Sequence, residues 1–142
     1  AELTATWLEE RILALAIVHP DLIGQLLPEV KDLKWASGLA KTVYEELANC
    51  YTAGEVFDVN NLLVRLSDNI KTSLLELMLV VEQSYPDADA KKVEEELSFY
   101  LHILQSRSYA ARRQELAAAI AAAESAHDAV QLKDLLEELS KL

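Results

Sequence analysis

From Asp87 to Leu142 the chain contains neither glycine nor proline. Without a residue that readily ends a helix, a helical reading runs uninterrupted from Asp87 to about Ser125, one unusually long element. The rest of the 142 residues agrees with this: glycine and proline number three each, while Leu, Ala and Glu dominate. That composition favours helices over turn-rich β architecture. The expected fold class is all-α.

Upstream of Asp87 the helices are shorter and bounded by visible signals. Thr6 and Glu9 have capping-box spacing, after which Leu8, Ile12, Leu15 and Ala16 fall on one stripe that ends near His19. Leu13, Ile17 and Val18 make the opposite side apolar too, so this first helix is expected at the centre of a bundle. Pro20 suits the first turn of a short second helix through Leu27, which Pro28 is expected to close. Ser37 is the cap expected for a third helix, with Leu39, Val43, Leu47 and Tyr51 in its seam and Gly54 as its stop. Asp58 caps a fourth carrying Val59, Leu62, Leu63 and Leu66. A fifth holds Ile70, Leu74, Leu77, Met78 and Val81 and ends before Pro86.

The long helix has two halves. Val93, Leu97, Tyr100, Leu101 and Leu104 form a clear stripe, whereas Gln105 to Ser108 is polar, so a boundary is expected there. This gives a helical bundle over residues 1–104 and a helical hairpin over 105–142, the hairpin continuing the long helix. Its first arm holds Leu116, Ala117 to Ala119, Ile120 and Ala121 to Ala123. Ala126-His127-Asp128 reads as the turn, and Leu132, Leu135, Leu136, Leu139 and Leu142 belong to the second arm. Alanine on one helix opposite leucine on the other permits close approach. Two helices alone bury only one face each, so the remaining apolar surface is expected to need a partner.

Charge narrows the partners. Residues 1–104 carry 8 basic and 18 acidic side chains, net −10, and residues 105–142 carry 5 and 6, net −1, which sum to the −11 of the whole chain. Such a surface repels phosphate backbones, so direct nucleic-acid binding is not expected. Cys50 is the only cysteine, which excludes an internal disulfide and suits a reducing cytoplasm. No apolar run reaches the roughly 20 residues needed to cross a bilayer, and no export signal is visible at the N-terminus, so no membrane association is expected. The chain opens Ala1-Glu2-Leu3 without methionine, which suggests either a piece of a longer protein or N-terminal processing.

No chemistry emerges from the motifs. There is no phosphate-binding glycine loop, no H-E-x-x-H and no cysteine pair at zinc spacing, and His19, His102 and His127 are too scattered for a helical metal site. Glu94, Glu95 and Glu96 are adjacent on a helix and point apart, so they read as a solvated, dipole-favouring face near a helix start. Glu45-Glu46 and Glu137-Glu138 read the same way. Cys50 beside Leu47 and Tyr51 reads as a small core residue. The expectation is a non-catalytic domain without cofactor or metal. Its candidate contact residues are Arg112 and Arg113, from the only basic cluster (with Arg107), and the hairpin side chains Leu116, Ile120, Leu132, Leu135, Leu136 and Leu139.

W-L-E-E-R-I-L-A-L-A-I-V-H-P-D-L at positions 7–22 resembles the opening of the helicase-binding C-terminal domain of bacterial DnaG-type primases. Val56 to Leu63, the run Leu97 to Arg113, and the hairpin Ala121 to Asp128 with Leu132 to Leu139 are similar to later parts of that family, so the resemblance spans nearly the whole chain. His127 departs from the pattern, standing near the family's turn glycine. The resemblance implies a bundle subdomain from about Glu2 to Leu104, followed by a hairpin that docks on the N-terminal domains of the hexameric DnaB-type replicative helicase. It also implies that the domain tethers a primase at the fork and modulates the helicase. Two alternatives share the composition: the N-terminal collar domain of a DnaB-type helicase, whose first helix usually carries a glycine where this chain has Ala14 and Ala16, and a generic helical adaptor.

Overall fold

The computed structural model describes residues 3–85 and 90–142. Glu2, read as the start of the bundle, and Pro86 and Asp87, read as helix limits, lie outside the described residues. Among those described are seven α-helices, and no strand occurs: α1 (Ala5–Val18), α2 (Ile23–Val30), α3 (Gly38–Cys50), α4 (Val59–Leu63), α5 (Asp68–Ser84), α6 (Ala90–Ser125) and α7 (Ala129–Ser140), with a 3-10 turn at Pro20–Leu22. The fold is all-α. The chain divides into two compact units, Ala1–Leu104 and Gln105–Leu142.

In the first unit, α1 is buried on every side, as its all-round apolar sequence requires. Leu8, Ile12, Leu13, Leu15 and Ile17 are at most 2% exposed. Fully burying one such side chain stabilises the fold by about 1.5–3 kcal/mol. Helices α2, α3 and α5 all touch α1. Ile23, Leu26 and Val30 come from α2, Ala40, Val43 and Leu47 from α3, Leu74 and Val81 from α5, and Val93, Leu97, Leu101 and Leu104 from α6, all in one continuous core.

Ser37 and Asp58 cap α3 and α4 as their sequence positions suggest: the Ser37 hydroxyl accepts the Ala40 N–H at 3.1 Å and the Asp58 carboxylate the Asn60 N–H at 3.0 Å. Several expectations are corrected. The cap of α1 is Thr4, whose hydroxyl accepts the Trp7 N–H at 3.1 Å, and not Thr6. Pro28 lies inside α2 and does not close it, because two further residues place Val30 in the core, and that burial outweighs one missing hydrogen bond in a short helix. Helix α3 ends at Cys50, before Gly54. Gly54, at φ +84°, instead forms the next turn, closed by the Glu55 N–H on the Thr52 carbonyl. Among the described residues α6 runs from Ala90, so Glu94 to Glu96 begin one turn in, where the helix dipole gives them little support.

Glu9 explains why the capping box fails. Its side chain turns inward, 1% exposed, and accepts the N–H groups of Ala36 (2.9 and 3.0 Å) and Ser37 (2.8 Å) just ahead of α3. Next to it, the Ser37 hydroxyl donates to Glu10 at 2.7 Å. A buried carboxylate is costly unless hydrogen-bonded, and these backbone donors would themselves be orphans without it. The pair fixes where α3 begins relative to α1.

A second polar contact joins α1 to the first half of α6. The Tyr100 hydroxyl donates to Glu96 at 2.5 Å, Arg11 lies 3.8 Å from the same carboxylate, and Trp7 meets Tyr100 edge-on at 5.3 Å. Burial first, then the Glu96 carboxylate, push the Tyr100 phenol up to about 12.

Two predictions follow from these contacts. Glu9→Ala should lower the unfolding free energy by about 2–4 kcal/mol, because charge-assisted bonds are lost and buried N–H groups orphaned, while Glu9→Gln should lose less; urea denaturation measures both. Because the Tyr100 pKa is raised on folding, its stabilising share is present below the ordinary phenol range and is lost as pH rises towards about 12. Ultraviolet titration of the native protein should therefore show one late-ionising tyrosine that Tyr100→Phe removes.

Candidate docking surface on the C-terminal hairpin

The second unit is an antiparallel helical hairpin made from the end of α6 and from α7. Helix α6 ends in a Schellman turn: the His127 N–H bonds the Glu124 carbonyl at 3.2 Å and the Asp128 N–H bonds that of Ala123 at 3.0 Å. This motif needs a left-handed residue, and His127 supplies it at φ +54° where glycine is the usual occupant. Asp128 then caps α7, its carboxylate accepting the Gln131 N–H at 3.0 Å. The three-residue turn read from the sequence forms with its histidine under backbone strain.

The hairpin has a thin interior. Leu116 and Ala123 are buried on α6, Ala119 and Ile120 half-buried, and α7 contributes only half-buried Leu132, Leu135 and Leu139. No residue of α7 is fully buried. Arg112 joins the arms from outside, its guanidinium 2.6 Å from Glu138 and 3.3 Å from Glu115. Side chains at that exposure are screened by water, so the link contributes at most about 1 kcal/mol.

The candidate contact residues therefore separate by position. Leu116, Ile120, Leu135 and Leu139 are buried or half-buried along the inner seam, where their first task is to hold the arms together, and half-buried Leu132 stands at its border. Leu136, at 48% exposure, turns outward, and with Ala129, Leu132, Lys133, Glu137 and Ser140 it lines a shallow groove along α7. Arg112 is engaged with its two carboxylates, while the Arg113 guanidinium lies 5.8 Å from the centre of the exposed Tyr109 ring. Val130, 76% exposed, also faces solvent and has no counterpart in the sequence reading. It stands about half a turn around the helix from Leu139, opposite the leucine repeat.

Among the described residues, no group of three His, Cys, Asp or Glu side chains is placed to hold a metal ion. Cys50 is half-buried with its thiol on the Leu47 carbonyl at 3.7 Å, and burial pushes the thiol up, away from the reactive thiolate. Glu46 pairs with Arg65 at 3.7 Å. No single helix among the described residues is long and apolar enough to cross a membrane.

These features define an all-helical protein with a closed bundle and a thinly packed hairpin. Comparison with protein-family models, curated proteins and solved structures gives no match.

His127→Gly should relieve the left-handed strain and stabilise the hairpin by about 0.5–1 kcal/mol, and the β-branched His127→Val should destabilise it. Amide hydrogen exchange across α7 should slow in the first variant and quicken in the second.

Proposed function

We propose that this chain is a non-catalytic docking domain of a DnaG-type primase, whose hairpin binds the N-terminal domains of a DnaB-type replicative helicase. In this reading it tethers the primase at the fork and modulates the helicase, without nucleic acid, cofactor or membrane. The observation that supports it most is the contrast in burial: the bundle has a continuous core of its own, whereas α7 buries no residue completely. A helix with an unspent apolar face gains by laying it against a partner. The sequence resemblance supplies the identity of that partner.

Within this proposal the two kinds of leucine act differently. Leu136 is an anchor, and Leu136→Ala should weaken helicase binding by about 1–3 kcal/mol at unchanged thermal stability. Leu139→Ala should loosen the hairpin as well as the complex. Arg112→Glu places like charges beside Glu138 and Glu115, and should reduce association in a salt-dependent way. Size-exclusion co-migration with a DnaB-type helicase, followed by titration calorimetry of the Leu136 variant, measures this. Separate migration at micromolar concentrations, or full affinity of Leu136→Ala, would sink the proposal.

A further inference from the structure

The first unit carries an apolar groove that the hairpin proposal does not use. Val18 at the end of α1, the irregular stretch Val56 to Asp58 ahead of α4, and Met78 and Glu82 on one stripe of α5 line an open cleft of about 580 Å³. That volume lies inside the range of roughly 300–1,000 Å³ typical of ligand clefts. Val56 stands at its edge 98% exposed, although a large apolar side chain on a free surface gains nothing there. Met78 on its wall suits an adaptable fit, since the unbranched thioether rearranges to accept different apolar shapes.

Charge selects among occupants. Asp58 and Glu82 line the groove, Asp21 and Glu55 follow or precede its residues directly in sequence, and no lysine or arginine lines it. The surrounding unit is net −10 by sequence count, 8 basic against 18 acidic. A second copy of this unit, an anionic lipid surface and a nucleic acid would each bring like charge to that rim. An amphipathic polypeptide segment with apolar side chains flanked by lysine or arginine meets both the floor and the edge.

We infer that this groove is a second docking site, which takes a basic amphipathic segment of another protein through Val18, Phe57 and Met78 below and Asp58 and Glu82 at the rim. It is independent of the hairpin and stands whether or not a helicase binds there.

The test uses the full chain and a synthetic amphipathic helical peptide of leucine and lysine, with a leucine–glutamate peptide of the same pattern as counterpart. Titration calorimetry at low and moderate salt should show saturable binding of the first and none of the second. Both Val56→Ser and Glu82→Lys alter exposed side chains and should leave thermal melting unchanged. Each should weaken binding by at least about fivefold, whereas Glu94→Lys, an equal charge change elsewhere on the unit, should change it less than about twofold. Leu136→Ala should leave this binding intact, which separates the groove from the hairpin. Equal losses from Glu82→Lys and Glu94→Lys would show only general attraction to an acidic surface and overturn the assignment. So would binding of the glutamate peptide, no binding at all, or sedimentation of the chain with phosphatidylcholine vesicles that Val56→Ser abolishes.

Discussion

The bundle depends on hiding one helix. Helix α1 offers no side to water over most of its length, so its neighbours must supply a wall in each direction, and the apolar stripes of α2, α3, α5 and the first half of α6 do so. Burial of that kind is strong but indifferent to register. The direction comes from Glu9, among the described residues the one charged side chain sunk completely into the core, which is satisfied only when the chain around Ala36 and Ser37 lies at its carboxylate. Hydrophobic burial sets how tightly the helices pack, and this single polar clamp sets where α3 starts.

The same division explains what could be read in advance. Stripes such as Leu74 to Val81, the caps at Ser37 and Asp58, and the turn at Ala126 to Asp128 are local properties, written within one or two turns of sequence. Glu9 and Pro28 are not local in this sense, because their roles are decided by partners far along the chain or by a buried side chain two residues on. Thr6 depends on the same long-range choice: its capping box needs Glu9, and Glu9 is committed 27 residues away. In the hairpin, the leucines were legible as a set. Their separation into an inner seam and an outward Leu136 was not, since it follows from the turn at His127 and from which face of α7 meets α6.

Charge and packing divide the chain along the same line. The first unit carries nearly all of the excess negative charge together with nearly all of the buried apolar surface. Self-repulsion there is affordable because the core is large. The hairpin has few buried groups to set against repulsion, and its near-balanced charge keeps that opposing contribution small. Its cross-arm link, Arg112 to Glu138, is worth something only while both side chains remain in place and the salt is low.

Helix α7 therefore occupies the weak end of the molecule's stability range. An element held by half-buried leucines, one exposed ion pair and a strained turn is expected to open at a free energy below that of global unfolding. A protease cutting after exposed residues such as Lys133 or Lys141 meets its substrate in that locally opened form. Whatever lies across α7 holds it closed and slows such a cut.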